Sequence, residues 1–319
     1  MHNTYDATLP GTVGVTTAQY KPSWDHAHGF GGGGTVTLPT TRTEYFSTGG
    51  GMMWDTNLDT YQNNTDGSQS LLSSHHEPFA VLKPGQRLNR VWNQGVFGPG
   101  FRTDPPNDSQ VAAKGIYRTG DTLWLLPSLF SDSASRDGYL SGSGSADHIT
   151  LTSDGTTLVD SAGATGAAVN VPAGDATYTL SVTQDRSATY PDLPSNGVSA
   201  SWTFRSGHVD GTRNLAVSAI RFTPVLDQNN AATANAVIPV PFQVQHQPGS
   251  TASVTTTSDL QVSYDDGRTW VKPVAFRGGD QGLALVKNPA NGYVSLKATA
   301  TDAAGDSVSE TIIHAYRVA

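Results

Sequence analysis

The chain has 319 residues, a formal net charge of −8 and no cysteine. Its 13 Arg and 6 Lys form no basic run, so binding to nucleic acid or to an anionic membrane surface, which needs clustered cations, is not expected. The absence of cysteine excludes disulfides, thiolate nucleophiles and cysteine-based zinc sites.

The acidic residues indicate which secondary structure to expect. Twenty-four of the 27 are Asp, which favours turns, and 34 Gly and 18 Pro add further turn formers. The composition therefore predicts strands joined by tight turns, with hardly any helix. No stretch reaches the roughly 20 apolar residues of a membrane span, and the N-terminus lacks the pattern of a signal peptide. We expect a mature or excised part of an exported, extracellular protein.

Alternating apolar and polar residues predict six strands in the N-terminal part of the chain. They lie near Thr12–Gln19, Thr35–Leu38, Arg42–Ser47, Gly51–Asp55, Gln86–Trp92 and Asp121–Leu126. The glycine run 31–34, the polar stretch 55–69 and the Pro/Asp-rich stretch 99–109 are interpreted as loops, because none of them has a periodic apolar pattern.

The strand pattern is clearer after residue 147. A hairpin is predicted around residues 153–155, whose sequence is Ser-Asp-Gly. In the strands that follow, Tyr178 and Leu180 share one face, as do Trp202 and Phe204. One buried and one solvated face is typical of an antiparallel sheet.

These elements predict an all-β fold of tandem antiparallel β-sandwiches. Glycine and polar residues at 210–214 suggest a boundary, with a large jelly-roll-like sandwich over residues 1–213. Residues 214–319 contain seven strand-like runs at regular spacing, which predicts an immunoglobulin- or fibronectin-like sandwich. The pattern leaves open whether residues 1–213 form one domain or two subdomains.

The most specific local motif is the octapeptide from Ser263 to Trp270, which matches the Asp-box pattern S-x-D-x-G-x-T-W. In such a turn Asp265 accepts hydrogen bonds from backbone N–H groups, Gly267 supplies a positive φ, and Trp270 packs under the hairpin. Turn chemistry explains every residue, and no second copy accompanies the motif. We interpret it as a structural turn.

Two histidine clusters are candidate metal ligands: His26 with His28, and the run from His75 to Glu77. A metal site needs three or four converging ligands, whereas loop histidines without a metal are far commoner. The run 227–230 matches no calcium cage and is interpreted as a turn. No metal or other cofactor is therefore predicted.

Nucleophile and phosphate-loop motifs are missing from the sequence. It contains no G-x-S-x-G, S-x-x-K or H-E-x-x-H motif, and no spacing links its Ser, His and Asp residues into a triad. The sequence therefore does not support catalysis.

Four segments resemble one known family. WTFRSGH (202–208), VQHQPG (244–249), VSYDDGRTW (262–270) and the segment 293–318 are similar to the C-terminal, non-catalytic region of secreted actinobacterial subtilisin-like serine proteases. The similarity is strongest over 199–319 and extends more weakly through 118–130, 82–93 and 39–50. The family's catalytic Asp, His and Ser motifs have no counterpart in this chain. The resemblance therefore implies an accessory region, with a subtilase catalytic domain in cis as its partner.

Three functions follow as expectations. The first is a non-catalytic accessory region that docks on the protease domain or engages a protein or polysaccharide substrate or a surface. The second is a carbohydrate-binding or adhesive module, in which Trp24 or Trp54 beside glycine-rich segments could form a stacking platform, with His26 and His28 nearby. The third and weakest is a free-standing glycoside hydrolase, suggested by the Asp-box alone.

Overall fold

All of the regular secondary structure in the computed structural model is β-strand. The structure describes residues 2–5, 12–20, 30–49, 52–64, 66–102, 114–140 and 146–319. The described residues contain no helix, and so none that is long and apolar enough to cross a membrane. Multiple antiparallel sheets built from about 60% strand confirm the predicted all-β, sandwich-like fold.

Twelve strands precede residue 146. They are β1 (His2–Tyr5), β2 (Thr12–Tyr20), β3 (Phe30–Thr37), β4 (Thr40–Thr43), β5 (Met53–Asn63), β6 (Gln69–Ala80), β7 (Asn89–Trp92), β8 (Gly98–Gly100), β9 (Gly115–Gly120), β10 (Thr122–Leu126), β11 (Ser128–Ser131) and β12 (Asp137–Leu140).

Fourteen strands follow. They are β13 (Ala146–Ser153), β14 (Thr156–Ala162), β15 (Ala167–Asn170), β16 (Ala176–Asp185), β17 (Gly197–Ser206), β18 (Val209–Asn214), β19 (Ser218–Phe222), β20 (Ala231–Ala232), β21 (Val237–His246), β22 (Thr255–Ser263), β23 (Val274–Gly278), β24 (Gln281–Lys287), β25 (Gly292–Asp302) and β26 (Ser307–Val318).

The largest sheet, here the central sheet, has the strand order β14-β13-β16-β17-β26-β25-β22, and β20 pairs with β26. Two four-stranded sheets, β15-β10-β9-β18 and β19-β21-β24-β23, share one hydrophobic core with it. The core takes Ile116 and Leu123 from the first of these, Val240 from the second, and Leu180 and Ile312 from the central sheet. The arrangement is therefore a sandwich in which one long sheet is shared.

One face of the central sheet is apolar, as the alternation predicts. Leu180 lies opposite Trp202, which lies opposite Val308, and all three side chains are buried. The indole Nε1 of Trp202 donates to the carbonyl of Ser218 in β19, at 2.8 Å. The hydrogen bond joins two sheets and satisfies the polar atom of a buried tryptophan, which would otherwise destabilise the core.

The predicted boundary at 213/214 does not separate two sheets. Residues 209–214 form β18, which pairs with β9, and β17 pairs with β26 along seven residue pairs. The central sheet thus takes strands from both predicted domains, and the same core cluster runs from Val96 to Val318. Polar residues alone do not mark a linker here, because an edge strand such as β18 tolerates exposed polar side chains.

Two predicted loops are strands. The glycine run 31–34 belongs to β3, which pairs with β2 at the edge of the five-stranded sheet β12-β6-β5-β2-β3. The polar stretch 55–69 contains most of β5, which pairs with β2 on one side and β6 on the other. The hairpin at 153–155 is confirmed, with positive φ at Asp154 (48°) and Gly155 (76°).

Buried arginines connect the N-terminal strands to the sandwich. The guanidinium of Arg221 in β19 donates to the carbonyls of Gly98, Pro99, Ser131 and Asp132, which belong to or follow β8 and β11. Arg186 donates to the carbonyl of Leu72 in β6, at 2.9 Å, and burial lowers its pKa to about 10. Carbonyl acceptors thus hold two buried cations that have no carboxylate within ion-pair distance among the described residues.

One carboxyl group lies inside the core. Glu310 of β26 is 1% exposed, and its Oε1 accepts the backbone N–H of Ile220 at 2.9 Å, whereas its Oε2 has no partner among the described residues. Burial raises the pKa of Glu310 to about 8, outweighing the hydrogen bond from Ile220 and the positive charge of Arg221. The carboxyl is therefore mainly protonated at neutral pH.

We expect Glu310→Gln to flatten the pH dependence of stability between pH 5 and 8. The folded wild type retains the proton up to about pH 8, whereas the unfolded chain releases it near pH 4.5. Glu310 therefore stabilises the fold at acid pH, and its contribution falls with rising pH by up to about 1.4 kcal/mol per unit. Urea unfolding at pH 5, 6.5 and 8 measures this. A constant difference between variant and wild type would contradict the assignment.

Candidate functional site

An open groove lies between two irregular segments, residues 43–48 and 82–89. Its volume is about 550 Å³, within the range of about 300–1,000 Å³ that is typical of ligand sites. We call it the 45/87 groove. Its lining residues are Thr43, Glu44, Tyr45, Phe46, Thr48, Leu82, Lys83, Gly85, Gln86, Arg87, Leu88 and Asn89.

Trp54 holds one wall of the groove in place. Its indole Nε1 donates to the carbonyl of Ser47 at 2.8 Å, and its ring packs edge-on against Phe46 with centroids 5.0 Å apart. Trp54 stands in β5 opposite Ala80 of β6, just before the segment that forms the other wall. The predicted stacking residue Trp54 is therefore half-buried and positions the wall, while the neighbouring Tyr45 is 92% exposed.

The groove combines one exposed aromatic ring with positive charge. Arg42 binds the only acidic side chain in the lining, Glu44, through both Nε and Nη2 at 2.5 Å. Lys83 and Arg87 make no ion pair with any described residue, and both are exposed. The side chain of Gln86 accepts the backbone N–H of Lys83 and fixes the turn between them. The arrangement can present a ring face and two cations to a ligand.

The Asp-box turn has the geometry that its sequence predicts. Both carboxylate oxygens of Asp265 accept from Thr269, Oδ1 from the backbone N–H and Oδ2 from the hydroxyl, and Ser263 Oγ donates to Oδ1. Gly267 has φ 83°, a side chain at this position would press on the ring of Trp270, and the ammonium of Lys297 lies over that ring. The side chains of Ser263, Asp265 and Thr269 bond to one another inside the turn, as a structural motif would, while Asp266 Oδ1 lies 2.8 Å from His314 Nε2 of β26.

The histidine clusters do not assemble a metal site in the described part of the chain. Trp24, His26 and His28 lie outside the described residues. The ring of His75 is fully buried beside Phe97 and Phe130, its Nε2 donates to the carbonyl of Phe130 at 3.1 Å, and burial lowers its pKa to about 4. His75 is therefore a neutral core residue.

The other predicted ligands also have structural partners. Glu77 binds Arg90 and Arg136 at 2.8 and 2.9 Å. Asp227 Oδ1 accepts the backbone N–H groups of Asn229 and Ala231, which confirms the predicted turn. Among the described residues, no group of three or more His, Asp or Glu side chains could hold a metal ion.

One Ser–His–Asp arrangement exists that no sequence spacing indicated. Ser218 Oγ lies 2.8 Å from His246 Nδ1, and His246 Nε2 lies 3.2 Å from Asp280 Oδ1. Ser218 and His246 are direct cross-strand partners on β19 and β21, so sheet register brings them together. The cavity beside Ser218 measures about 10 Å³, which holds about one water. His246 Nε2 makes no hydrogen bond to Asp280 despite the short distance, so the three side chains do not form a complete hydrogen-bonded triad.

Comparison with known proteins adds no family to these observations. No protein-family model matches the chain, and no curated protein matches it in sequence. The functional conclusion therefore depends on the motifs and on the geometry of the molecule itself.

We expect Asp265→Asn to lower the melting temperature at neutral pH and to remove a loss of stability in acid. Hydrogen bonds from Thr269 and Ser263 lower the pKa of Asp265 to about 2. The carboxylate therefore stabilises the fold above its unfolded pKa near 3.8, and this contribution is lost as the pH falls through about 2. Calorimetric melting from pH 2 to 7 tests it. Equal acid sensitivity of the two proteins would contradict the prediction.

We expect Trp54→Phe to loosen the 45/87 groove wall. The variant loses the hydrogen bond to Ser47, which contributes about 1 kcal/mol, but it keeps a ring against Phe46. Chymotrypsin should then cleave after Tyr45 or Phe46 faster than in the wild type. Trp124→Phe is the matched control, since Trp124 is 37% exposed and stacks on Tyr117 in a different sheet. Equal cleavage rates for both variants would show that Trp54 does not hold this wall.

Proposed function

We propose that the chain is a non-catalytic accessory region of a secreted, extracellular subtilisin-like serine protease. In this role it lies in cis with the catalytic domain and engages the substrate or a surface for it. The family's catalytic motifs are absent from this sequence, which is consistent with catalysis by a separate domain and a non-catalytic role for this chain.

One observation carries the proposal: three of the four segments that most resemble the family are neighbours in the central sheet, while the fourth, 244–249, begins at the end of β21 in a covering sheet. Residues 202–206 lie on β17, 262–263 on β22, and 293–318 span β25 and β26, which are four adjacent strands of the central sheet. Their motif residues are used in packing and turns, as with Trp202 and Asp265. The use of these motif residues in packing and turns supports a shared scaffold rather than a shared chemistry.

The 45/87 groove supports engagement as the role of this scaffold. Its two walls, residues 43–48 and 82–89, lie within segments of weaker resemblance to the family, and they carry an exposed ring and two cations. A rigid β-scaffold that presents a site on irregular segments is a common way to build a binding module. The same groove favours the second candidate function, a free-standing carbohydrate-binding module.

The intact mass and N-terminal sequence of the native protein test the proposal. An antibody against this chain, applied to culture supernatant of its source, should detect a species much larger than 33.5 kDa that contains these residues. That species should cleave casein and be blocked by a serine-protease inhibitor, whereas the recombinant chain should not cleave it. A secreted species of 33.5 kDa that begins at Met1 would overturn the protease assignment and leave the free-standing module.

A further inference from the structure

We infer that the 45/87 groove binds a carboxylated polysaccharide, that is, a chain of sugar rings carrying uronic-acid groups. This inference rests on the engagement role proposed above and names its ligand class. It depends on three features of the groove: its charge, its exposed ring and the kind of backbone that lines it.

The charge of the groove is opposite to that of the chain. The whole chain is −8, yet the groove pairs its single carboxylate, Glu44, with Arg42 and keeps Lys83 and Arg87 exposed. Because like charges elsewhere repel an anionic polymer, a local pair of cations focuses it on this site. Arg87 offers a planar fork of N–H donors that matches a carboxylate, and Lys83 adds a point charge.

The exposed ring suits a sugar. Tyr45 is 92% exposed, so both its faces are accessible, and the wall that carries it is fixed by Trp54 through Ser47 and Phe46. An aromatic face binds the C–H surface of a pyranose, while its hydroxyl reaches polar groups. The groove is open to solvent at a volume of about 550 Å³, so a polymer can pass through it without a free chain end.

The lining backbone favours a polysaccharide over an acidic peptide. Recognition of an extended peptide usually adds a strand to a sheet edge. Of the groove residues, only Thr43 and Asn89 belong to strands, and they are the last residue of β4 and the first of β7. The remaining lining residues are irregular, so the groove offers side chains rather than a ladder of backbone donors and acceptors.

Titration calorimetry of the whole chain with polygalacturonate, and with neutral galactan as the matched polymer, tests the inference. We expect binding of polygalacturonate alone, weakened as NaCl rises from 0.05 to 0.5 M because salt screens the cations. The double substitution K83Q/R87Q should weaken binding at least about 10-fold. Tyr45→Ala should weaken it about 3- to 10-fold.

Controls keep the charge and aromatic content comparable. Arg268→Gln removes an exposed cation, and Tyr264→Ala an exposed ring, both on the Asp-box turn outside the groove. They should bind like the wild type, and melting curves confirm that each variant folds. Failure of polygalacturonate to bind, binding unaffected by K83Q/R87Q, or preference for poly-glutamate over polygalacturonate would overturn the inference. None of these results depends on the mass of the native species, so the protease assignment is tested separately.

Discussion

The pairing of β17 with β26 is the constraint on which the rest of the structure depends. It joins residues about 110 positions apart, from Gly197 with Ile313 to Thr203 with Ser307, and makes one continuous sheet from two halves of the chain. Both four-stranded sheets share a core with its apolar face, and Trp202 and Glu310 bond from that face to β19. Such long-range pairing costs loop-closure entropy, which the shared core of buried Leu, Val and Ile must offset.

Trp202 and Glu310 are polar side chains that bond to β19 inside this core, and they avoid a buried charge in different ways. Trp202 places a neutral N–H on a carbonyl and leaves no charge behind. Glu310 places a carboxyl beside Ala200 and Ala298, and burial favours its neutral form. Arg221, also buried, instead keeps its charge against four carbonyl oxygens. The carbonyls of and after β8 and β11 solvate the cation, whereas the Glu310 carboxyl receives one backbone N–H, from Ile220, and its second oxygen has no partner among the described residues.

The sequence predicts the structure well where a local pattern of residues determines it. It predicts the structure poorly where the register between distant strands determines it. The alternation of Tyr178 with Leu180, and of Trp202 with Phe204, predicts the buried face, and Asp154-Gly155 predicts its hairpin. Residues 31–34 are a strand because β2 pairs with them, although a glycine run has no side-chain pattern to indicate it. The contact of Ser218 with His246 is likewise a consequence of register. The spacing of residues along the chain does not show which residue a given side chain will face on another strand.

The same distinction explains the candidate site. Trp54 is conspicuous in the sequence, and an aromatic residue next to glycines predicts a stacking platform. Its N–H, however, finds the carbonyl of Ser47, and this bond uses the polar atom and half-buries the ring. The exposed ring is instead that of Tyr45, and the residues beside Tyr45 in the sequence do not predict its exposure. A tryptophan that fixes a wall, and a tyrosine that the wall presents, together form a platform that is rigid before a ligand arrives, which reduces the ordering cost of binding.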